Sequence, residues 1–394
     1  MLLLAAAICG GTGSAATPTA QSRLDTFDYI LGTQTIGASY QFTAQTRLVE
    51  TAQAILDMGS NVIKFRMGKE DGVKNANTPG RDPAIRSLTE LARDEPSHRR
   101  VLDMPLAYYV IWTYPFAGGN WHKGFAPADQ AKEYQELYEF ACHLLKTYNR
   151  SGKTFLLGHW EGDWTLRGTG NTTDEDRVTP AAIQGMIDWL NVRQKAIDDA
   201  NRDTKHARVG VYQYTEVNLV RLAMQGRKTV CNDVLPKTAV DFVSYSSYDT
   251  QKDPEQLRAA LDYIAAKLPP KAGLAGRRVF IGEYGYPADR FPPEEQDEMS
   301  RRTIRAALAW GCPLILYWEM YNNEIDKQGK QRGFWLIDDK GIKQPIYHTH
   351  ERYYRWAKQY VAEYAKKAGR QPSVEEFRLA AVAYLDRLAE NSRK

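Results

Sequence analysis

The feature that most narrows the fold is an alternation repeated eight times: a short apolar run, then a longer stretch with apolar residues at helical spacing. The short runs fall at 29–36, 61–67, 104–112, 154–160, 207–214, 241–248, 278–284 and 313–320, and each reads as a strand. Helical patterns lie over 45–58, 83–94, 127–148, 180–201, 254–268, 293–310 and 347–366, several opened by proline at or near the first turn. Only the link 215–238 resists assignment, apart from a short helical stretch over 219–224. Strand–helix units of this kind build parallel sheets, and eight of them in 394 residues predict an α/β fold, a closed (β/α)8 barrel, ahead of an open doubly wound sheet.

The remaining segments flank that barrel, expected over 24–367. The start, Met1-Leu2-Leu3-Leu4-Ala5-Ala6-Ala7-Ile8-Cys9, runs into small residues through Ala16. It is shorter than the ~20 apolar residues of a membrane span and reads as a signal peptide over 1–16, which implies a secreted or periplasmic protein. At the other end, 368–394 form a helical extension: Ser373-Val374-Glu375-Glu376 is a capping box, and apolar residues follow at helical spacing. Residues 332–341 read as a small hairpin ahead of the last barrel helix. A formal charge of +4, spread evenly, does not suggest a nucleic-acid partner. Cys142, Cys231 and Cys312 are too few for a disulfide framework and read as buried thiols. With no His-x-x-x-His or Cys/His cluster, neither a metal nor another cofactor is called for.

In such barrels chemistry sits at the C-terminal ends of the strands, and here those ends are rich in aromatic and acidic residues. Strand two ends in Lys64-Phe65-Arg66, strand three in Trp112, strand four in His159-Trp160-Glu161 and strand five in Tyr214. Strand six contributes Tyr245, strand seven Gly282-Glu283-Tyr284-Gly285 and strand eight Trp318-Glu319. Trp121, in the loop after strand three, reads either as a further platform for a sugar or as a cover for the rim. A glutamate buried at a strand end is costly unless it is compensated or has a task. Two of them, at strands four and seven, suggest paired carboxylates. Asp163 and Glu319 are further carboxylates that could supply the acid if the strand ends fall two residues away.

These residues resemble the superfamily of retaining glycoside hydrolases built on (β/α)8 barrels, often called clan A. The resemblance rests on Glu161 after strand four, Gly282-Glu283-Tyr284-Gly285 at strand seven, Arg66 at strand two and Trp318 at strand eight. It implies that Glu161 is the general acid/base, Glu283 the nucleophile, Arg66 the cation that keeps Glu283 ionised, and Trp318 the platform under the sugar. Trp112, Trp121, His159, Trp160, Tyr214, Tyr245 and Glu319 complete the expected binding surface for a polysaccharide or oligosaccharide. Most members carry asparagine before the strand-four glutamate, where this chain has Trp160. That departure bears on which sugar is bound and keeps open a second class, a carbohydrate-binding barrel without efficient chemistry.

Overall fold

The structure, a computed structural model, describes residues 24–69 and 84–391, so the stretch read as a signal peptide lies outside the described residues. Eight strands close into one barrel in sequence order: β1 (Leu31–Thr35), β2 (Val62–Gly68), β3 (Tyr108–Tyr114), β4 (Thr154–Gly158), β5 (Gly210–Val217), β6 (Phe242–Ser246), β7 (Val279–Tyr284) and β8 (Ile315–Tyr317). Every pairing is parallel, and β1 closes the ring on β8 through Leu31 opposite Ile315 and Thr33 opposite Tyr317. The expected (β/α)8 barrel is therefore the fold.

Helices surround it: α1 (Arg47–Asp57), α2 (Leu88–Asp94), α3 (Pro96–Asp103), α4 (Pro127–Thr147), α5 (Gly162–Arg167), α6 (Pro180–Asp203), α7 (Val220–Met224), α8 (Pro254–Lys267), α9 (Pro293–Trp310), α10 (Pro345–Ala368) and α11 (Val374–Asn391). Proline occupies the first turn of α3, α4, α6, α8, α9 and α10, where its missing N–H has no intrahelical partner to lose. No helix among the described residues is long and apolar enough to cross a membrane.

Alternation along each strand divides the core in two. Val62, Val110, Leu156, Tyr214, Phe280 and Leu316 fill the barrel, while Ile63, Ile111, Leu157, Val243 and Ile281 face the helices. Cys142, Cys231 and Cys312 are buried and unbonded. Ser373 and Glu376 make the reciprocal capping box that opens α11, at 3.2 and 2.7 Å. The helix docks by Phe377, whose ring centroid lies 5.0 Å from that of Phe27, and by Tyr384, stacked on Trp356 at 4.4 Å.

Several boundaries differ from the sequence reading. Strand three begins at Tyr108 rather than at 104, because Glu95 caps an unforeseen helix, α3, through His98 N–H at 2.8 Å and Pro96 opens it. Strand four stops at Gly158, and Glu161 instead precedes the short helix α5, which ends at left-handed Gly168. Strand five runs on to Val217, three residues past its expected end, and α7 fills part of the unassigned link. In place of one hairpin over 332–341 there are two isolated antiparallel bridges, Ile325 with Gln331 and Ile337 with Lys343.

Candidate active site

The mouth of the barrel holds a cavity of about 870 Å³ whose lining includes Glu161, Glu283, Trp112, Trp160, Tyr248 and Trp318. Glu283 reaches it through an irregularity in β7. Ile281 and Tyr284, three residues apart, both pack outward and the register shifts between them, while Phe280 points inward. Strict alternation would have sent Glu283 outward; the bulge turns it into the barrel. Gly282 makes room for this, since a Cβ there would sit 1.7 Å from Ser244 Oγ.

Glu161 and Glu283 share one hydroxyl. Ser246 Oγ lies 2.7 Å from Glu161 Oε1 and 3.1 Å from Glu283 Oε2, so the nearest carboxylate oxygens are no farther apart than those two contacts laid end to end. Tyr248 Oη is 3.4 Å from the same oxygen of Glu283. Beneath them Lys64, fully buried, directs its ammonium to Glu283 Oε1 at 3.0 Å, to Glu216 Oε2 at 3.0 Å and to the Gly282 carbonyl at 3.2 Å. The Lys64 ammonium also stands 4.5 Å from the Trp112 ring centroid.

Burial pushes the Glu283 carboxyl up to about 7; Lys64 pulls against it, and Glu216 pushes it further up. Glu161 is driven well above the usual carboxylate range by burial, then by the charge of Glu283. Lys64 feels burial as a downward push, yet the two carboxylates outweigh it and hold the ammonium above its ordinary value. Of the two site carboxyls, Glu161 therefore keeps its proton more readily and Glu283 has the cation.

The expected site residues divide sharply. Trp112, Trp160 and Trp318 line the cavity with the two glutamates, and Trp318 Nε1 donates to Glu324 Oε1 at 3.1 Å, which fixes its ring. The cation beside Glu283 is Lys64, not Arg66. Both point inward from β2, but Arg66 stands one layer nearer the mouth, its guanidinium 5.3 Å from the Tyr114 ring centroid.

Five others lie off the cavity lining. His159 faces α6, with Nε2 2.8 Å from Thr215 Oγ1 and its ring tilted against Trp189, and burial lowers its pKa to about 3. Trp121 is buried between His122 and Trp189, so it covers α6 rather than the cavity. Tyr214 fills the barrel beneath Gly158, where a Cβ would lie 2.3 Å from its ring. Tyr245 faces the helices and its hydroxyl donates to Asp249 Oδ1 at 2.5 Å. Glu319 lies under the loops, accepting the N–H groups of Ile36 at 2.9 Å and Asn323 at 3.1 Å. The other spare acid, Asp163, is likewise committed to the N–H groups of Asn218, Leu219 and Val230.

The residues missed were Lys64, Glu216, Ser246 and Tyr248. A signal for Glu216 existed: Tyr212, Tyr214 and Glu216 share parity, and Thr215 and Val217 are β-branched, as a continuing strand requires. Among the described residues no group of three or more His, Cys, Asp or Glu is arranged to hold a metal ion.

No protein-family model and no curated protein matches the sequence. Solved structures do match. A GH5_18 protein from Streptomyces cattleya in complex with Manb1-4GlcNAc aligns with a TM-score of 0.55 at 14% identity, covering 83% of this chain and 80% of that one. Beta-glycosidase BGL167 aligns at 0.53 and 14%, over 85% and 98%. The exo-beta-1,4-mannosidase Op5Man5 from Opitutaceae bacterium strain TAV5 aligns at 0.51 and 14%, over 84% and 60%. At such identity the likeness is one of fold: this chain and these glycosidase structures share an architecture, which here is the closed eight-stranded parallel barrel.

Proposed function

We propose that this chain is a glycoside hydrolase that cleaves β-linked sugars with retention, Glu283 acting as nucleophile and Glu161 as acid/base. The observation that carries the reading is the single Ser246 hydroxyl in contact with both carboxyls. Carboxyls near enough to share one hydroxyl suit the ~5 to 5.5 Å of a double displacement, whereas inversion sets them ~6.5 to 9.5 Å apart to leave room for a water. Lys64 favours an ionised Glu283, and burial favours a protonated Glu161.

In the first step Glu283 attacks the anomeric carbon while Glu161 gives its proton to the departing oxygen. Water then attacks the glycosyl ester, and Glu161, now a carboxylate, takes a proton from it. Trp112, Trp160 and Trp318 offer faces for sugar rings. The β-linkage, with mannosides tried first, follows from what the structural neighbours act on or bind. Export of the protein rests on its apolar first residues.

The test is a panel of 4-nitrophenyl β-glycosides, headed by the mannoside, with Glu283→Ala and Glu161→Ala each supplied with azide. Glu283→Ala should lose turnover of every glycoside and recover some by azide attack, giving an inverted glycosyl azide. Glu161→Ala should keep the first step for activated phenols and give a retained azide. Full activity in both variants would refute the assignment, and sugar binding without turnover in the unmodified chain would favour a binding barrel.

A further inference from the structure

Glu216 touches neither the cavity nor, through it, a sugar. It lies on β5, fully buried, with both oxygens committed. Oε1 accepts the backbone N–H of Glu161 at 2.9 Å, while Oε2 accepts Lys64 Nζ at 3.0 Å and Ser244 Oγ at 2.6 Å. Lys64 in turn holds Glu283. A second path therefore joins the two site glutamates beneath the cavity, independent of the Ser246 hydroxyl: the main chain of Glu161, then Glu216, then Lys64, then the Glu283 carboxylate.

A barrel interior has no need of such a group for stability. Buried ion triads contribute little beyond well-packed apolar residues of the same volume, because removing the charges from water offsets most of their attraction. What this triad does provide is fixed placement. The carboxylate of Glu216 holds the turn where β4 gives way to α5, the turn from which Glu161 projects. Gly162, next in the chain, allows the close approach: a Cβ there would stand 2.4 Å from the Glu216 carbonyl oxygen. The charge of Glu216 also divides the attention of Lys64, so that Glu283 has half of a cation rather than a whole one.

We propose that Glu216 is a positioning residue for the paired glutamates, holding the Glu161 main chain with one oxygen and sharing Lys64 with Glu283 through the other, so that spacing and charge are set together. Its consequence for catalysis rests on the glycosidase reading; its consequence for protonation does not. The direction is set by sign. The negative charge of Glu216 raises both Glu283 and Glu161, so removing it should lower both.

Glu216→Gln keeps a carbonyl for the Glu161 N–H and removes the charge. Infrared difference titration of the sugar-free protein reads the C=O band of buried protonated carboxyls, and loss of a band in Glu283→Gln assigns that of Glu283. In Glu216→Gln the Glu283 midpoint should fall by about one pH unit or more; an unmoved midpoint in the folded variant overturns the proposal. Glu216→Asp keeps the charge but, a methylene shorter, cannot reach both Lys64 and the Glu161 amide. On 4-nitrophenyl β-D-mannoside its kcat should fall by roughly 10- to 100-fold with KM little changed, the loss that a displacement of about 1 Å brings. Wild-type kcat in Glu216→Asp also overturns the proposal. Should Glu283→Ala retain full turnover, the glycosidase reading fails, while the infrared result still decides whether Glu216 sets the protonation of its neighbours.

Discussion

Replacing Lys64 by methionine keeps the length of a fully buried side chain and removes its charge. In the intact site burial holds the Glu283 carboxyl up at about 7 even with the ammonium 3.0 Å away pulling it down. A contacting opposite charge moves a carboxyl by ~1 to 3 pH units, so its loss should carry the acid limb of the activity profile upward by ~2 units. At pH 7 the ionised fraction of Glu283 would then fall from about half to about one in a hundred, a loss of roughly 50-fold in kcat/KM, or about 2.3 kcal/mol. The assay is kcat/KM against pH with a 2,4-dinitrophenyl β-glycoside, whose leaving group needs no proton, so that only the nucleophile's titration is read. Activity should return as the pH is raised, and Lys64→Arg, which keeps the charge, should leave the limb near its original place. A uniform loss at every pH, with the acid limb unmoved, would refute the reasoning and reduce Lys64 to packing.

Two predictions concern the frame around the site. Gly158→Ala would place a methyl 2.3 to 2.4 Å from three ring carbons of buried Tyr214; overpacking of this kind costs about 1 to 3 kcal/mol. It should lower the melting temperature, with partial recovery when Tyr214→Leu is added, and an unchanged melting temperature would refute it. His159 has its pKa lowered by burial to about 3 against an ordinary 6.5, so it stays neutral in the fold while an unfolded chain takes up the proton. Its contribution to stability is present above pH ~6.5 and lost progressively as the pH falls toward ~3, at up to about 1.4 kcal/mol per unit. In His159→Gln the decline in the urea midpoint between pH 7 and pH 4.5 should be shallower, and parallel declines in variant and wild type would count against it.

How much of this was legible depends on which coordinate of the barrel a residue's role requires. The strands, their number and the placing of Glu161 and Glu283 at the barrel mouth could be read, because a short apolar run followed by a glutamate and a glycine marks where an element gives way to a loop. Parity along a strand told which residues share a face, and on that basis Lys64 and Arg66 are equivalent. Height is another matter: two residues along β2 is one layer of the barrel, and which layer meets Glu283 depends on the register of β7. That register carries an irregularity near Gly282, which no local pattern announces, and it both turns Glu283 inward and brings Lys64 rather than Arg66 opposite it. The same limit explains Tyr245 and His159, which sit at strand ends yet point to the helices. Glu216 falls on the other side of the line, hidden only if β5 is taken to stop at Tyr214, since its alternation continues to Val217. A charged residue at the inward parity of a strand, with no neighbour in sequence to pair with, is a buried ion seeking a partner across the barrel. Lys64 on β2 and Glu216 on β5 are two such residues, and their pairing at 3.0 Å gives the two halves of the candidate site a link beneath the one that Ser246 makes.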